Sequence, residues 1–186
     1  KGVDLDQRVA ALGEKVKARV KAEVIRLPSW AEDQRGTPNS FLRSSLFASI
    51  HGKDRKDMKD VQLVSSKDVV VRFTGTQLNQ DDLSVWGTLV HLVRDLPIGS
   101  QCEFTGHRLL KQMGLHTGKT QHEQLHASIL RLATCTVHVT HKGKEYFGAL
   151  ISWGLKVQAT GRYEIQLNPH LSRIFGSDQW SAIDWE

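Results

Sequence analysis

Two histidines placed four residues apart form the clearest metal-binding pattern in the sequence. His122-Glu123-Gln124-Leu125-His126 matches His-Glu-x-x-His. On a helix, such a pair of imidazoles can share one zinc ion while the glutamate acts as a general base. The residues that follow predict a hairpin, however, whereas zinc proteases with this pattern usually take a third ligand from another helix or from beyond a glycine-marked turn. A zinc hydrolase is therefore a minor alternative, and we expect neither a bound metal nor a cofactor.

A second motif, Gly114 to Thr120 (GLHTGKT), resembles a phosphate-binding loop. It is one residue too short, with Met113 where the first glycine belongs, and it follows a predicted helix instead of a strand. His138 and His141 have the wrong spacing for the His-x-His pair of a DNA nickase. No catalytic serine or cysteine arrangement is visible either, so we expect no enzymatic activity.

Both motifs lie within residues 104–147, whose pattern predicts a helix, a turn, a longer helix and a hairpin. Thr105 is expected to cap a helix that ends near Met113, and Gly114 and Gly118 mark the turn. The longer helix is predicted from Lys119 to Ala133, and the hairpin from Thr136 to Tyr146 with a basic tip at Lys142-Gly143-Lys144. This order is typical of a winged helix, in which the second helix and the wing approach nucleic acid.

The longer helix has two chemically different sides. Leu125, Ile129 and Leu132 recur at the spacing of a buried stripe. Thr120, Gln124, Ala127 and Arg131 form the opposite stripe, whose short, polar or basic side chains can approach bases and phosphates. We therefore expect DNA contacts from the following residues of this helix and of the hairpin tip: Lys119, Thr120, Gln121, Gln124, Ser128, Arg131, Lys142 and Lys144.

Charge and composition fit an anionic partner. The chain has 186 residues and a formal net charge of +5. From His107 to Glu145 the sequence has six lysines and arginines and two glutamates, so the predicted helix–turn–helix region is basic. On charge alone, a solvated face of mixed charge is an equal alternative to a surface that binds an anionic partner. No apolar run is long enough to span a membrane. The two cysteines, Cys102 and Cys135, do not form a disulfide framework, which fits a reducing bacterial cytoplasm.

The remaining patterns predict an α+β fold with a helical N-terminal arm. Residues 4–26 form an amphipathic basic segment, which Pro28 ends, and Trp30 is expected to anchor the following connector on the core. Tyr146 to Val157 is nearly continuous in apolar residues, which predicts a strand buried on both faces or lining a subunit interface. The other predicted elements are a helix over Ser40–Ile50, a charged loop over His51–Lys59, strands over Val61–Ser65 and Val69–Phe73, a helix from the cap Asn79 to about Arg94, strands over Gln101–Phe104 and Arg162–Leu167, and a short helix over Pro169–Phe175.

Four sequence blocks carry a resemblance to a known family. They are LPSWAEDQRGTPNSFLRSSLF at 27–47, TGTQLNQDDLSVWGTLVHLVRDLPIGSQCEFT at 74–105, LHASILRLATCTVHV at 125–139 and YEIQLNPHLSRIFG at 163–176. In this order and spacing the chain resembles the TrfA-type replication initiators of broad-host-range plasmids. The resemblance implies tandem winged-helix domains, binding to origin repeats called iterons, origin opening, plasmid copy control, a homodimer–monomer equilibrium, and recruitment of the host replicative helicase and initiator protein.

The expected organisation follows from both lines of argument. We expect an arm over 1–27, a winged-helix domain over 28–176 with its helix–turn–helix and wing at about 80–167, and a polar tail over 177–186. Such a tail would lead into a second winged helix. The main alternative function is a winged helix used for dimerisation, with only weak contact to the DNA backbone.

Overall fold

The computed structural model describes residues 27, 29–64, 69–97, 99–141, 143–170 and 180–184. The arm over 1–26, the tip residue Lys142 and the helix expected over Pro169–Phe175 lie wholly or mainly outside these ranges. The described elements, in chain order, are β1 (Gln34–Pro38), α1 (Asn39–Leu42), β2 (Phe47–Ala48), β3 (Asp57–Leu63), β4 (Val69–Thr76), β5 (Leu78–Asn79), α2 (Gln80–Leu92), β6 (Gln101–Thr105), α3 (Gly106–Gln112), α4 (Lys119–Thr134), β7 (Thr136–His141), β8 (Lys144–Gly148), β9 (Ile151–Val157), β10 (Arg162–Leu167) and β11 (Trp180–Asp184).

Polar side chains cap the starts of two helices, α2 and α3. Asn79 begins α2 with a reciprocal capping box, in which its side chain accepts from the Asp82 N–H and the Asp82 carboxylate accepts from the Asn79 N–H. Thr105 caps α3 by accepting from the Arg108 N–H at 3.2 Å. These caps confirm the expected starts of both helices, and the expected extent of α4 is confirmed to within one residue at its end.

A three-stranded antiparallel sheet with the order β6-β10-β9 packs with the helices α3 and α4, and α4 in turn contacts α2. The strand that precedes the helix–turn–helix thus pairs with a hairpin that follows it. This is the arrangement of a winged helix, and the expected α+β fold class is confirmed. The Tyr163 and Phe104 rings stack on the side of the sheet that is buried, with their centroids 5.4 Å apart.

A second, four-stranded antiparallel sheet has the order β3-β4-β7-β8. Its hairpin β7–β8 turns at Gly143, whose φ of 72° is a backbone conformation that favours glycine. The hairpin expected after α4 is therefore present, but β7 pairs with β4 and not with the sheet of the helix–turn–helix. The sequence analysis did not anticipate this pairing, because local pattern gives strands and turns but not which distant strand they join.

The expected single strand over Tyr146–Val157 is divided between the two sheets. β8 ends at Gly148 and β9 begins at Ile151, and the backbone N–H of the buried Leu150 between them donates to the Leu132 carbonyl at the end of α4. In β9, Trp153, Leu155 and Val157 are exposed. The prediction of burial on both faces is wrong here, since one face of the sheet is open to solvent.

A ribbon joins the first and last described strands, because β1 pairs antiparallel with β11. Trp30 anchors the segment before the ribbon, as expected. Its indole N–H donates to Nδ1 of His91 at 3.2 Å, and its ring lies where a Cβ on Gly36 would come within 2.7 Å. Glycine at position 36 therefore permits the close contact between the strand and the indole. The segment expected to be a polar tail over 177–186 thus contains a paired strand.

Two short stretches also differ from the sequence expectation. The helix predicted over Ser40–Ile50 stops at Leu42, and Phe47–Ala48 forms a short parallel pairing with β5. The loop predicted over His51–Lys59 becomes strand from Asp57 onwards. In both places tertiary pairing overrides local preference. The rings of Phe41 and Phe47 contact Trp86 of α2 with centroids 5.4 Å and 6.4 Å away, so this region is held by core packing.

Candidate nucleic-acid interface

The turn between α3 and α4 presents the start of α4 to solvent. Gly114 lies beyond the end of α3 with a φ of 70°, and the Leu115 N–H donates to the Leu110 carbonyl at 2.9 Å. This left-handed glycine ends α3 and turns the chain. Gly118 is the N-cap of α4, and its lack of a capping side chain leaves the first backbone N–H groups of the helix accessible to an anion.

The first six residues of α4 form an accessible polar surface. Thr120 and Gln124 are exposed, Gln121 is half-buried, and the Lys119 side chain is 90% exposed. The Lys119 ammonium lies 3.9 Å from the Glu123 carboxylate, a surface pair worth little in water. Hydroxyl, amide and ammonium groups of this kind can contact base edges and phosphates.

Ser128 and Arg131, also expected in this contact set, are turned inward. Ser128 is 2% exposed and its hydroxyl donates to Oδ1 of Asp82, while Nη2 of Arg131 donates to the same oxygen at 2.8 Å. The Arg131 side chain is only 19% exposed, so neither residue belongs to the accessible polar surface at the start of α4. Asp82, at the start of α2, is a buried carboxylate and requires donors that solvent would otherwise supply.

A second arginine completes this network. Nη2 of Arg55 donates to Oδ2 of Asp82 at 3.1 Å and to the Asn79 side chain at 2.7 Å. Burial of the Asp82 carboxyl would raise its pKa, but hydrogen bonds from Arg131, Ser128 and the Asn79 backbone, with the charge of Arg131, lower the pKa below its ordinary value. Asp82 therefore stays ionised and ties α4 to the cap of α2.

The lysines at the tip of the β7–β8 hairpin were expected to contact DNA. Lys142 lies outside the described residues, and only the backbone of Lys144 is described. Their hairpin belongs to the four-stranded sheet. The hairpin that pairs with β6 is β9–β10, and its turn meets the start of α3, where the Gly106 N–H donates to the Gly161 carbonyl at 3.2 Å.

Two exposed arginines near this turn were missed by the sequence analysis. Arg162 begins β10 with its side chain 58% exposed and 3.8 Å from Glu103, and Arg108 is exposed in the first turn of α3. Thr160-Gly161 is a turn signal that could have marked the second hairpin. Its partner strand could not be identified from the sequence, so neither could its position beside α3.

The histidines of the His-Glu-x-x-His pattern make protein contacts. Nδ1 of His126 lies 3.3 Å from the Tyr163 hydroxyl, and His122 packs against Gly106. Burial and the charge of Lys156 lower the pKa of His126, which favours neutral imidazole. Within the described ranges, no three or more side chains of the types His, Cys, Asp and Glu come together as metal ligands. None of the described helices is long and apolar enough to cross a membrane.

The model of the TrfA protein family matches residues 5–186. The chain belongs to the TrfA family. One curated relative, the plasmid replication initiator protein TrfA of Escherichia coli, is 24% identical over 204 residues, covering 100% of this chain and 53% of the relative. The chain thus spans about half the length of the relative that it matches.

Solved structures with the same fold include two of domains 2 and 3 of RctB. One has a TM-score of 0.56 at 11% identity and covers 75% of this chain and 60% of that one. The other has a TM-score of 0.53 at 12% identity and covers 70% and 58%. At these identities the similarity concerns the fold alone. Family membership therefore comes from the sequence match.

Proposed function

We propose that this chain is the iteron-binding part of a plasmid replication initiator. In this proposal it binds duplex DNA at the plasmid origin, helps to open the origin, and contributes to recruiting the host replicative helicase and initiator protein. Membership of the TrfA family supports the role in replication. The observation that carries the DNA-binding proposal is the exposed start of α4 next to the winged-helix hairpin β9–β10, with cations on both.

The exposed half of α4 supplies the groups for base contacts. Gln124 can form two hydrogen bonds with an adenine edge in the major groove, and Thr120 can contact a base or a thymine methyl group. Lys119, Arg108 and Arg162 then contact phosphates on either side. Ser128 and Arg131 leave the proposed contact set, because both are committed to Asp82.

Salt dependence of DNA binding tests which hairpin is the wing. Each phosphate contact steepens the fall of log affinity with log salt by roughly one unit. We expect the double variant Arg108→Ala/Arg162→Ala to flatten the slope by up to about two units and to weaken iteron and unrelated DNA alike. The matched variant Lys142→Ala/Lys144→Ala removes the same charge from the β7–β8 tip and should leave the slope nearly unchanged.

The outcomes separate the proposals clearly. If only the Lys142/Lys144 variant shows a weaker dependence of log affinity on log salt, the β7–β8 hairpin is the wing that contacts DNA. A wild-type affinity and slope for both variants would contradict backbone contact by either hairpin. Thermal melts followed by circular dichroism control for folding, and the exposure of Arg108 and Arg162 predicts little loss of stability for their variant.

Exposed apolar residues on β9 favour a second property, homodimerisation. Trp153, Leu155 and Val157 lie on the open face of the sheet, and Leu155 is 51% exposed. In the described part of the chain β9 is one of the two outer strands of its sheet, and no further strand pairs with its outer edge. We infer that two copies pair through β9 in the homodimer of a dimer–monomer equilibrium.

Sedimentation over a wide concentration range tests this pairing. Leu155→Glu places a charge in the proposed contact and should shift the protein to monomer. Gln101→Glu introduces the same charge on the same sheet face but on the opposite outer strand, and should leave association unchanged. A wild-type protein that stays monomeric at high concentration, or equal association of both variants, would contradict the inference.

A further inference from the structure

A lysine of the β9–β10 hairpin lies on the side of the sheet that faces the helices. Lys156 of β9 is paired with Tyr163 of β10, and Tyr163 is paired with Phe104 of β6. Residues opposite each other on neighbouring strands share a face, so the three form one row across the sheet. Phe104 and Tyr163 are buried, whereas Lys156 at the outer end of the row is half-buried. A cation thus lies where the apolar side of the sheet ends.

Tyr163 brings this lysine next to α4. The Lys156 ammonium lies over the Tyr163 ring, 5.4 Å from its centroid. The hydroxyl of the same tyrosine lies 3.3 Å from Nδ1 of His126 in α4. The cation of the hairpin and the imidazole of the helix therefore share one neighbour. We call Lys156, Tyr163 and His126 the junction cluster.

The charge of the junction cluster is not balanced by an acidic side chain. Within the described residues, no carboxylate forms an ion pair with Lys156 or His126. By contrast, Arg55, Arg94 and Arg131 each pair with a carboxylate. In the same part of the chain, the Lys156 ammonium and Nε2 of His126 make no hydrogen bond. Both nitrogens are therefore available to an anion from outside the molecule.

The junction cluster lies between two surfaces that the proposed function assigns to DNA. His126 follows the exposed Gln124 by two residues along α4. Tyr163 follows Arg162, whose side chain is 58% exposed at the start of β10. A duplex that contacts both the start of α4 and the hairpin passes over the junction between them. Its backbone phosphates are the anions that such a duplex brings.

We propose that the junction cluster binds one phosphate of the DNA backbone, with Lys156 and a protonated His126 as the donors. The ammonium and Nε2–H of His126 donate to phosphate oxygens, while Nδ1–H donates to the Tyr163 hydroxyl. A tyrosine hydroxyl accepts as well as donates, so protonation of His126 preserves its contact with Tyr163. This inference rests on the proposed function and adds to it a proton that enters from solvent when DNA binds.

The surroundings of His126 give the direction of the pH dependence. In the free protein, burial and the charge of Lys156 lower the pKa of His126. The titratable groups that face it are Lys156 from β9 and Tyr163 from β10, with His122 one turn earlier on its own helix. A bound phosphate offsets the lysine charge and accepts from the imidazolium, so the pKa of His126 is higher in the complex. Affinity therefore rises as the pH falls from the bound-state pKa to the free-state pKa, by at most about tenfold per pH unit.

Salt dependence of DNA binding tests the lysine. We expect Lys156→Ala to weaken binding to iteron and unrelated duplex alike, and to flatten the dependence of log affinity on log salt by about one unit. Lys156→Arg retains the cation and should keep the wild-type slope. The matched control is Lys59→Ala, which removes an exposed lysine from β3 in the other sheet and should leave the slope unchanged.

Affinity measured from pH 7.5 to 5.5 tests the proton. The wild type should gain more affinity on acidification than His126→Asn, whose amide can bond to Tyr163 but does not titrate. His138→Asn removes a half-buried histidine from β7 in the other sheet and should retain the wild-type profile. Nuclear magnetic resonance titration of the His126 ring protons, in free and DNA-bound wild-type protein, should show a higher pKa in the complex.

The outcomes separate this site from the proposed function. If Lys156→Ala keeps the wild-type salt slope while Arg108→Ala/Arg162→Ala flattens it, the junction cluster does not bind phosphate, although the protein binds DNA. A pKa of His126 that is unchanged or lower in the complex overturns the proton uptake, and this measurement needs no variant to fold. If the wild-type protein binds no duplex, the proposed function and the site fail together.

Discussion

The two halves of α4 have similar polar residues but different surroundings. Lys119, Thr120 and Gln124 at the start are exposed to solvent. Ser128 and Arg131 in the second half are bonded to a buried carboxylate that lies 46 and 49 residues earlier in the chain. Residue type alone therefore does not distinguish a side chain that is free to contact DNA from one with a structural role. In α4 the distinction comes from the position of Asp82, which binds the side chains of the second half.

The most damaging change should be Asp82→Ala. It leaves two arginines and the N-terminus of α2 without their buried anion, and removing one partner of a buried ionic network costs about 3–5 kcal/mol. Urea denaturation measures the loss in free energy of unfolding. A loss below about 1 kcal/mol would show that the second half of α4 does not depend on this anchor.

Arg131→Ala should cost less, about 1.5–3 kcal/mol of stability, because Arg55 still pairs with Asp82. Affinity for unrelated DNA, measured on the folded fraction, should remain that of the wild type. If the Arg131→Ala variant has wild-type stability but a weaker dependence of DNA affinity on salt, Arg131 contacts DNA and does not anchor α4.

Gln124→Ala should leave stability unchanged and weaken binding to iteron duplex by roughly 1–3 kcal/mol if the first half of α4 reads bases. Binding to unrelated duplex should be spared. Competition titrations with the two duplexes measure the difference. If Gln124→Ala weakens binding to the two duplexes equally, α4 contacts only the DNA backbone.

The smallest expected effect is that of acidification on stability, which should be negligible until the pH approaches the range in which aspartate is protonated. The folded-state pKa of Asp82 is lowered, so its stabilisation is complete above the unfolded-state value of about 4 and is lost as the pH falls through the folded-state value. The stability gap between wild type and Arg131→Ala should therefore be constant from pH 7 to 5 and narrow at lower pH. Denaturation at a series of pH values checks this, and a gap that widens on acidification would contradict it.

Helices with strong caps could be predicted closely from the sequence. Asn79 with Asp82, and Thr105 after a strand, are local signals whose hydrogen bonds span three residues, so nearby residues suffice to locate them. The bends at Gly114 and Gly118 are equally local. The winged-helix class was recovered for this reason.

Two features could not be predicted from nearby residues: which sheet each strand joins, and the contact between Arg131 and Asp82. The β7–β8 hairpin has the right strands and turn, but its pairing with β4 depends on residues more than sixty positions away along the chain. Arg131 lies on a polar stripe in the sequence, and only the tertiary approach of Asp82 turns it inward. Long-range pairing also replaced the helix predicted over Ser40–Ile50 with a shorter helix and a strand.

The β1–β11 ribbon has a mechanical consequence. Gln34 pairs with Asp184 and Pro38 with Trp180, so the chain enters β1 and leaves β11 at the same end of the ribbon. A force that pulls apart the chain segments before β1 and after β11 acts on one end of the ribbon. It would break the hydrogen bonds between the two strands one pair at a time, and not all of them together. The ribbon should therefore peel from its Gln34–Asp184 end at low force, while the two sheets and the core remain folded.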